Sequence, residues 1–329
     1  MERILTGDRP TGPLLLGHFA GSLRNRVKLQ NQYETFIIIA DIQALTTHWE
    51  TPELISTNVR EVALDNIAAG LDPEKTSIFV QSMVPQIAEL TVLFGLYTSV
   101  SRLKHNPTIK TEARQYGFTD MTYGFLGYPV SQAADILFCR ANLVPVGEDQ
   151  LPHVEVTRFV ARRFNELYGN VFPEPKALVS DISRLIGLDG NSKMSKSLGN
   201  AIYLKDEPKV IKKKVMSAVT DPARIHKTDP GHPDICTIFA YQKAFNASEV
   251  PEIEESCKKG TIGCVSCKKN LINKLEETLA PIRERRAQFD KPGVIEDILI
   301  SGTDRAVKAG GETMASVREA MHTDYWKER

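Results

Sequence analysis

Lys193-Met194-Ser195-Lys196-Ser197 carries two lysines in a stretch bounded by Gly190 and Gly199, one side-chain reach from a common point. Paired ammonium groups of this kind suit a leaving pyrophosphate, whose charge grows as its bond to the α-phosphorus breaks. An arbitrary Lys-x-x-Lys is more often a solvated charge cluster, so the pair gains meaning only beside a second phosphate element. Gly17-His18 is that element: it opens the first helix, where unpaired N–H groups and the helix dipole favour phosphate and a glycine lets a flat base approach the backbone. A third group stands apart. Cys236, Cys257, Cys264 and Cys267 form C-x20-C-x6-C-x2-C, and they are four of the five cysteines in the chain. Polar neighbours such as Lys258, Lys259, Gly260, Gly263 and Ser266 make this a loop and not a core, which is a metal pattern. Spacing alone leaves zinc and an iron–sulfur cluster both open.

These groups need elements to hold them. Ile4-Leu5-Thr6 runs into Gly7, Pro10 and Gly12, and an amphipathic stretch with Phe19, Leu23 and Val27 follows, which reads as strand, tight loop, helix. The same grammar returns: a strand over Thr35 to Ala40 closed by Asp41, a helix from Pro52 to Gly70, strands over Thr76 to Gln81 and Leu143 to Val146. Short apolar strands alternating with helices predict an α/β fold, a Rossmann-like doubly wound parallel sheet, and ligands at its carboxyl edge. Gly7 to Gly12, Asp41 to Gln43 and Gly147 to Gln150 all fall there. After about residue 205 the pattern turns helical and basic, so residues 1–205 are expected to form the catalytic domain and 206–329 an all-helical one.

Composition narrows the class further. The 329 residues can bury a full core, and 41 basic against 41 acidic residues argue against a generic nucleic-acid coat while leaving room for a local basic patch. Phe36 to Ala40 is among the longest apolar runs, far short of a membrane span. The opening Met1-Glu2-Arg3-Ile4-Leu5-Thr6 has no secretory pattern, so a cytoplasmic protein with reduced thiols is expected.

Taken together, several segments resemble the bacterial tryptophanyl-tRNA synthetases. The lysine pentapeptide is the KMSKS element of class I aminoacyl-tRNA synthetases letter for letter. Gly7-Asp8-Arg9-Pro10-Thr11-Gly12 with Leu15-Leu16-Gly17-His18 is similar to the family's opening. Tyr128-Pro129, Ala133 to Leu137, Val144 to Gln150, His153, Glu155, Arg158 and Arg163-Phe164-Asn165 resemble its substrate pocket, and Val215 with Ser217 to Asp221 its entry into the tRNA-binding domain.

The resemblance implies a tryptophan–tRNA ligase acting with ATP and Mg2+, on L-tryptophan and tRNA(Trp), as a homodimer without membrane attachment. It implies Asp135 as acceptor of the indole N–H, a buried carboxylate tolerable only with such a partner. Tyr128 and Gln150 would hold the ammonium group, with Leu5, Gly7, Gln43 and Gln132 completing the tryptophan pocket. Asp149 would bond the ribose; His18, Lys193 and Lys196 would act on the phosphates, and Lys110 on the γ-phosphate. Arg9, Thr11, Gly17, Gly147, Met194 and Ser195 would line the rest of the ATP site. At the four cysteines the resemblance, to a subset of the family, favours a four-iron four-sulfur cluster over Zn2+. Lys212 to Lys214, Lys258, Lys259, Lys268, Lys269, Arg283, Arg285 and Arg286 suit the backbone of an RNA stem, with solvated helix faces the alternative for Arg283, Arg285 and Arg286.

The chain departs from the family at Leu15, where the first histidine of the HIGH element usually stands, at Arg9 for glutamine, and at Gln132 for methionine beside the indole. Gln132 makes the pocket more polar than usual. A tyrosyl-tRNA synthetase shares the fold and loop motifs, and an inactive RNA-binding paralogue is the rival of another class; intact Lys193, Lys196, Asp149 and Gln150 speak against the latter.

Overall fold

The computed structural model describes residues 1–179, 185–190, 194–196 and 198–325. Five strands form one sheet: β1 (Arg3–Asp8), β2 (Glu34–Ile39), β3 (Thr76–Val80), β4 (Leu143–Val146) and β5 (Lys176–Val179), in the order β3-β2-β1-β4-β5, with every pairing parallel. The Rossmann-like expectation holds. Alternate side chains of β2 enter opposite cores, Ile37 and Ile39 on one face and Phe36 and Ile38 on the other, as in a sheet covered by helices on both sides. β5 has no counterpart in the sequence reading. It is a half-exposed edge strand following Pro173 and Pro175, so it lacks the apolar run that marks the others.

The chain winds from β1 to β2 and β3, then returns across the sheet to β4, which puts the topological switch between β1 and β4. The ladder there is short. Ile4 pairs with Leu143, but Pro145 has no N–H to give and its carbonyl accepts the Thr6 hydroxyl at 2.9 Å instead. A crevice at the carboxyl ends of these strands is where an open sheet binds its ligand.

Beyond residue 205 the described elements are helices, including Pro208–Ser217, Thr237–Phe245, Val250–Lys258, Cys264–Phe289 and Val294–Ala320. The last returns to the sheet. It runs along the β3 edge, joining one core through Ile295 and Leu299 and the other through Ala306, Met314 and Val317. Gly302 permits this contact, since a Cβ there would come within 1.9 Å of the Ile78 carbonyl oxygen. The unpaired edge of β3 is thereby covered.

Candidate functional site

Asp8 closes β1 in a buried network. The Arg26 guanidinium grips both its oxygens, at 2.6 and 3.1 Å, and also donates to Asn66 Oδ1, the Gly7 carbonyl and, through Nε, Ser22 Oγ. Burial opposes the Asp8 charge, but the Arg26 cation overrides it and holds the carboxyl down at about 2. The strand end is thus tied to two helices before the ligand loop begins.

In that loop, the two phosphate elements of the sequence meet. Lys196 Nζ donates to the Gly12 carbonyl at 2.5 Å, and Gly12 has φ of 142° and a Cβ position only 2.9 Å from the lysine stem, so only glycine fits. Met194 is buried, its Sδ 3.7 Å from where a Cβ on Gly17 would stand. Ser195 N donates to Asn200 Oδ1. Burial lowers the Lys196 ammonium to about 8, although Asp8 and Asp65 pull the other way. His18 Nδ1 accepts the Leu15 N–H at 3.0 Å, so in the neutral ring the proton sits on Nε2, a donor suited to a phosphate oxygen. Leu15 itself lies in the core, its backbone bridged to Tyr203, so position 15 offers no polar side chain. Lys193 lies outside the described residues. Thr11 sits in the same loop, and Lys110 is exposed on the helix Pro107–Tyr116.

The second half of the site is carried by the helix Tyr123–Leu137, capped by the Thr122 hydroxyl. Tyr128, Gln132 and Asp135 fall at i, i+4 and i+7, on one face. Asp135 is 2% exposed and accepts the Gln81 amide at 2.7 Å, while the Gln81 carbonyl accepts the Gln43 backbone N–H at 3.0 Å. That second bond fixes which end of the amide points at the carboxylate. Burial raises the Asp135 carboxyl to about 7, with Asp41 adding to the rise and Gln81 opposing it. Gln81 was missed by the sequence reading, although it ends an apolar strand at the carboxyl edge, where such groups belong.

Tyr128 and His153 hydrogen-bond at 3.0 Å, both buried; burial lowers the His153 ring to about 4 and raises the Tyr128 hydroxyl. Glu112 stands beside that hydroxyl and 3.5 Å from Arg9, so Arg9 joins the first loop to the helix Pro107–Tyr116. Gln132 donates to Gln150 at 3.3 Å. Among the described residues, buried Glu112 Oε2, Gln132 Oε1 and His153 Nδ1 have no partner, which marks a pocket built for a polar ligand. Asp149 and Gly147 close the rim after β4; the Asp149 carbonyl accepts the Thr108 hydroxyl at 3.3 Å. Leu5 is buried in β1, and Gly7 needs to be glycine because a Cβ would meet Ile38 O at 2.0 Å.

The four cysteines gather around Arg224 and Gln242. All are unpaired thiols. Arg224 Nη1 points at Cys257 Sγ (3.9 Å) and Cys264 Sγ (4.0 Å), and Gln242 Nε2 at Cys267 Sγ (3.7 Å). Burial pushes the Cys267 thiol up to about 11, and Cys236, Cys257 and Cys264 are near enough to add to it. Yet among the described residues no three His, Cys, Asp or Glu side chains are arranged to hold a metal ion. The geometry therefore supports neither a zinc ion nor an iron–sulfur cluster at these cysteines.

Part of the basic patch is spent inside the molecule, while Lys212, Lys213, Lys258, Lys259 and Lys269 stay exposed. Arg285 donates to the Ala68 carbonyl, Arg286 pairs with Glu61 and Asp65, Arg283 with Glu276, and Lys268 turns inward to the Met216 and Ala218 carbonyls. The RNA-facing reading of these four, and the solvent-facing one of the three arginines, give way to packing. Lys258 and Lys259 pair with Glu254 and Glu255.

A switch-point crevice with a helix N-terminus, a loop lysine at one wall and a buried carboxylate at the other is that of a Rossmann-type enzyme using a nucleotide on a small polar ligand. The model of the tRNA synthetases class I (W and Y) matches residues 1–280. A tryptophan–tRNA ligase of Clostridium longisporum is 48% identical over 335 residues, covering 99% of this chain and 98% of its own. That of Aquifex aeolicus (strain VF5) is 41% identical over 394 residues, with 97% and 99% covered. The crystal structure of tryptophanyl-tRNA synthetase from Campylobacter jejuni complexed with ADP and tryptophan, 30% identical, covers 97% of this chain and 99% of that one at a TM-score of 0.84. The chain belongs to the class I tRNA synthetases of this W and Y family, among the tryptophan–tRNA ligases.

Proposed function

We propose that the protein activates L-tryptophan with Mg-ATP, giving tryptophanyl-adenylate and pyrophosphate, and passes the tryptophan to tRNA(Trp). The observation that carries the choice of amino acid is Asp135: a buried carboxylate aimed by Gln81, itself fixed by Gln43, is an acceptor for one N–H donor of an apolar ligand, as the indole is. Tyr128, Gln150, Gln132 and the unpartnered Glu112 oxygen surround the place of the ammonium group. On the ATP side, Arg9, Thr11, Gly12 and Gly17 form the floor, His18 offers Nε2 to a phosphate, and Asp149 beside Gly147 takes the ribose. The tryptophan carboxylate attacks the α-phosphorus in line, pyrophosphate leaves, and no protein nucleophile is needed. Lys196, leaving the Gly12 carbonyl, and Lys193 stabilise the charge that develops on pyrophosphate; Lys110 attends the γ-phosphate.

The remainder of the reading concerns assembly. Residues 1–205 bind ATP and tryptophan, 206–329 meet the tRNA, and the protein works as a cytoplasmic homodimer; among the described residues no helix is long and apolar enough to cross a membrane. The four cysteines hold a four-iron four-sulfur cluster. Support comes from the resemblance to the cluster-bearing subset of the family and from the N–H groups of Arg224 and Gln242 directed at three sulfurs, donors of the sort that tune such clusters. Bound there, the cluster would brace the helical domain and take no part in adenylate formation.

Pyrophosphate exchange on anaerobically purified protein, run with tryptophan and with tyrosine, tests the reading, with iron, sulfide and visible absorption measured on the same sample. Tryptophan-dependent exchange is expected. Exchange with tyrosine alone would transfer the chain to the tyrosine side of the family, and exchange with neither would make it an RNA-binding paralogue.

A further inference from the structure

Leu14, midway along the ligand loop, donates its backbone N–H to Asp65 Oδ2 at 2.7 Å. Asp65 sits on the helix Pro52–Ala68 with no exposed surface. Its other oxygen is paired with Arg286, which lies 221 residues away on the helix Cys264–Phe289, the helix that begins with two of the four cysteines. Arg286 also donates to Glu61 Oε2 at 2.7 Å, and Lys205 donates to that same oxygen at 2.9 Å. Lys205 ends the segment that leaves the lysine loop, and this segment is zipped to the ligand loop by Leu16 N–H to Ile202 O (2.8 Å) and Leu204 N–H to Leu14 O (3.1 Å). One buried carboxylate and its neighbour thus hold three pieces together: the loop under ATP, the exit of the lysine loop, and the helical domain.

We infer that Arg286 is a positioning residue for ATP activation, acting through Asp65 on the backbone of the loop after β1. An unpaired carboxylate in that place could not stay ionised, and a protonated one would hold the Leu14 N–H more weakly, leaving Gly12 and Gly17 less well placed beneath the nucleotide. The inference rests on the adenylating activity proposed above. It also gives Arg286 a task that the sequence, offering only RNA or solvent, does not suggest.

The charges facing Asp65 are Arg286 and Lys205, which lower its carboxyl, Glu61, which raises it, and Lys196 from the lysine loop, which it in turn raises; burial outweighs them and leaves Asp65 at about 6. Loss of Arg286 removes an attraction, so the carboxyl moves up and the acid limb of activity follows it toward neutral pH.

Full-length wild type, Arg286→Met, Arg286→Lys, Asp65→Asn and the Arg286→Met/Asp65→Asn double variant would be compared in tryptophan-dependent pyrophosphate exchange and in tRNA aminoacylation. Arg286→Met is expected to raise KM for ATP about tenfold and shift the acid limb of kcat/KM for ATP up by about one pH unit, with KM for tryptophan within about threefold of wild type. Arg286→Lys should restore part of both. Asp65→Asn should flatten the acid limb, and the double variant should be no worse than the poorer single one. A raised KM for tRNA with ATP kinetics unchanged would overturn the inference and return Arg286 to the RNA surface; so would a lowered melting temperature with KM for ATP and pH profile intact. If Arg286→Met does not fold, the acid limb of Asp65→Asn and the rescue by Arg286→Lys decide the matter. Wild type lacking tryptophan-dependent exchange would instead refute the activity, not the linkage.

Discussion

Two side chains are proposed to divide the labour at the residue scale, and their variants should fail differently. In the role proposed above Asp135 would meet the ligand in ground and transition state alike, so Asp135→Ala should raise KM for tryptophan roughly ten- to a hundredfold and change kcat much less. Lys196, in its proposed role, would meet charge that appears only as pyrophosphate departs, so Lys196→Ala should lower kcat of exchange about a hundredfold or more and leave tryptophan binding alone. Equal, small changes in both parameters for both variants would sink these roles. Asp135 also sets a pH dependence. Its carboxyl is raised to about 7, so the free pocket binds a proton as pH falls through that value and loses the charge that attracts the indole N–H. KM for tryptophan should therefore rise below about pH 7, and calorimetric titration of Asp135→Asn should show this dependence gone.

At the scale of elements, the carboxyl end of β1 depends on one ion pair. Asp8 and Arg26 are both buried and fully hydrogen-bonded, and neither can lose its partner without leaving a charge stranded. Arg26→Met should cost roughly 3 to 5 kcal/mol of unfolding free energy, read from denaturant curves. Asp8 is held at about 2, below its ordinary value, so its contribution is full above about pH 4 and lost as pH falls toward 2. A variant as stable as wild type at pH 7 would show that the pair only orients the loop. At the same scale, the helix Tyr123–Leu137 puts Tyr128, Gln132 and Asp135, which the resemblance picks out one by one, at i, i+4 and i+7 on a single face. Gln81 was not readable, because its role depends on a bond from Gln43, 38 residues away on the helix Asp41–His48.

For the whole molecule, the helix Cys264–Phe289 sets Cys264 and Arg286 about 33 Å apart at the rise of an α-helix, while Thr237, next to Cys236, lies beside Gly190 at the start of the lysine loop. On the cluster proposed above, stripping iron with a chelator under reductant should lower aminoacylation of tRNA severalfold and the melting temperature by several degrees, with pyrophosphate exchange affected less. Unchanged aminoacylation in iron-free protein would leave the cysteines without a part in tRNA binding.

The sequence by itself determined what repeats locally. Apolar runs of β1 to β4, the glycines after them, the paired lysines and the cysteine spacing are each written within a few residues, because strand period, turn geometry and ligand spacing are local constraints. Tertiary structure alone decided which charges meet. Arg283, Arg285, Arg286 and Lys268 look like an RNA surface in one dimension, and folding turns them inward against partners up to 225 residues distant. It also decided that Leu15 enters the core, that Gly302 lets the terminal helix cover β3, and that β5 completes the sheet as a half-exposed edge. Long-range pairing of buried polar groups follows from the need to satisfy each of them, and that need can be met only once the backbone has placed the candidates.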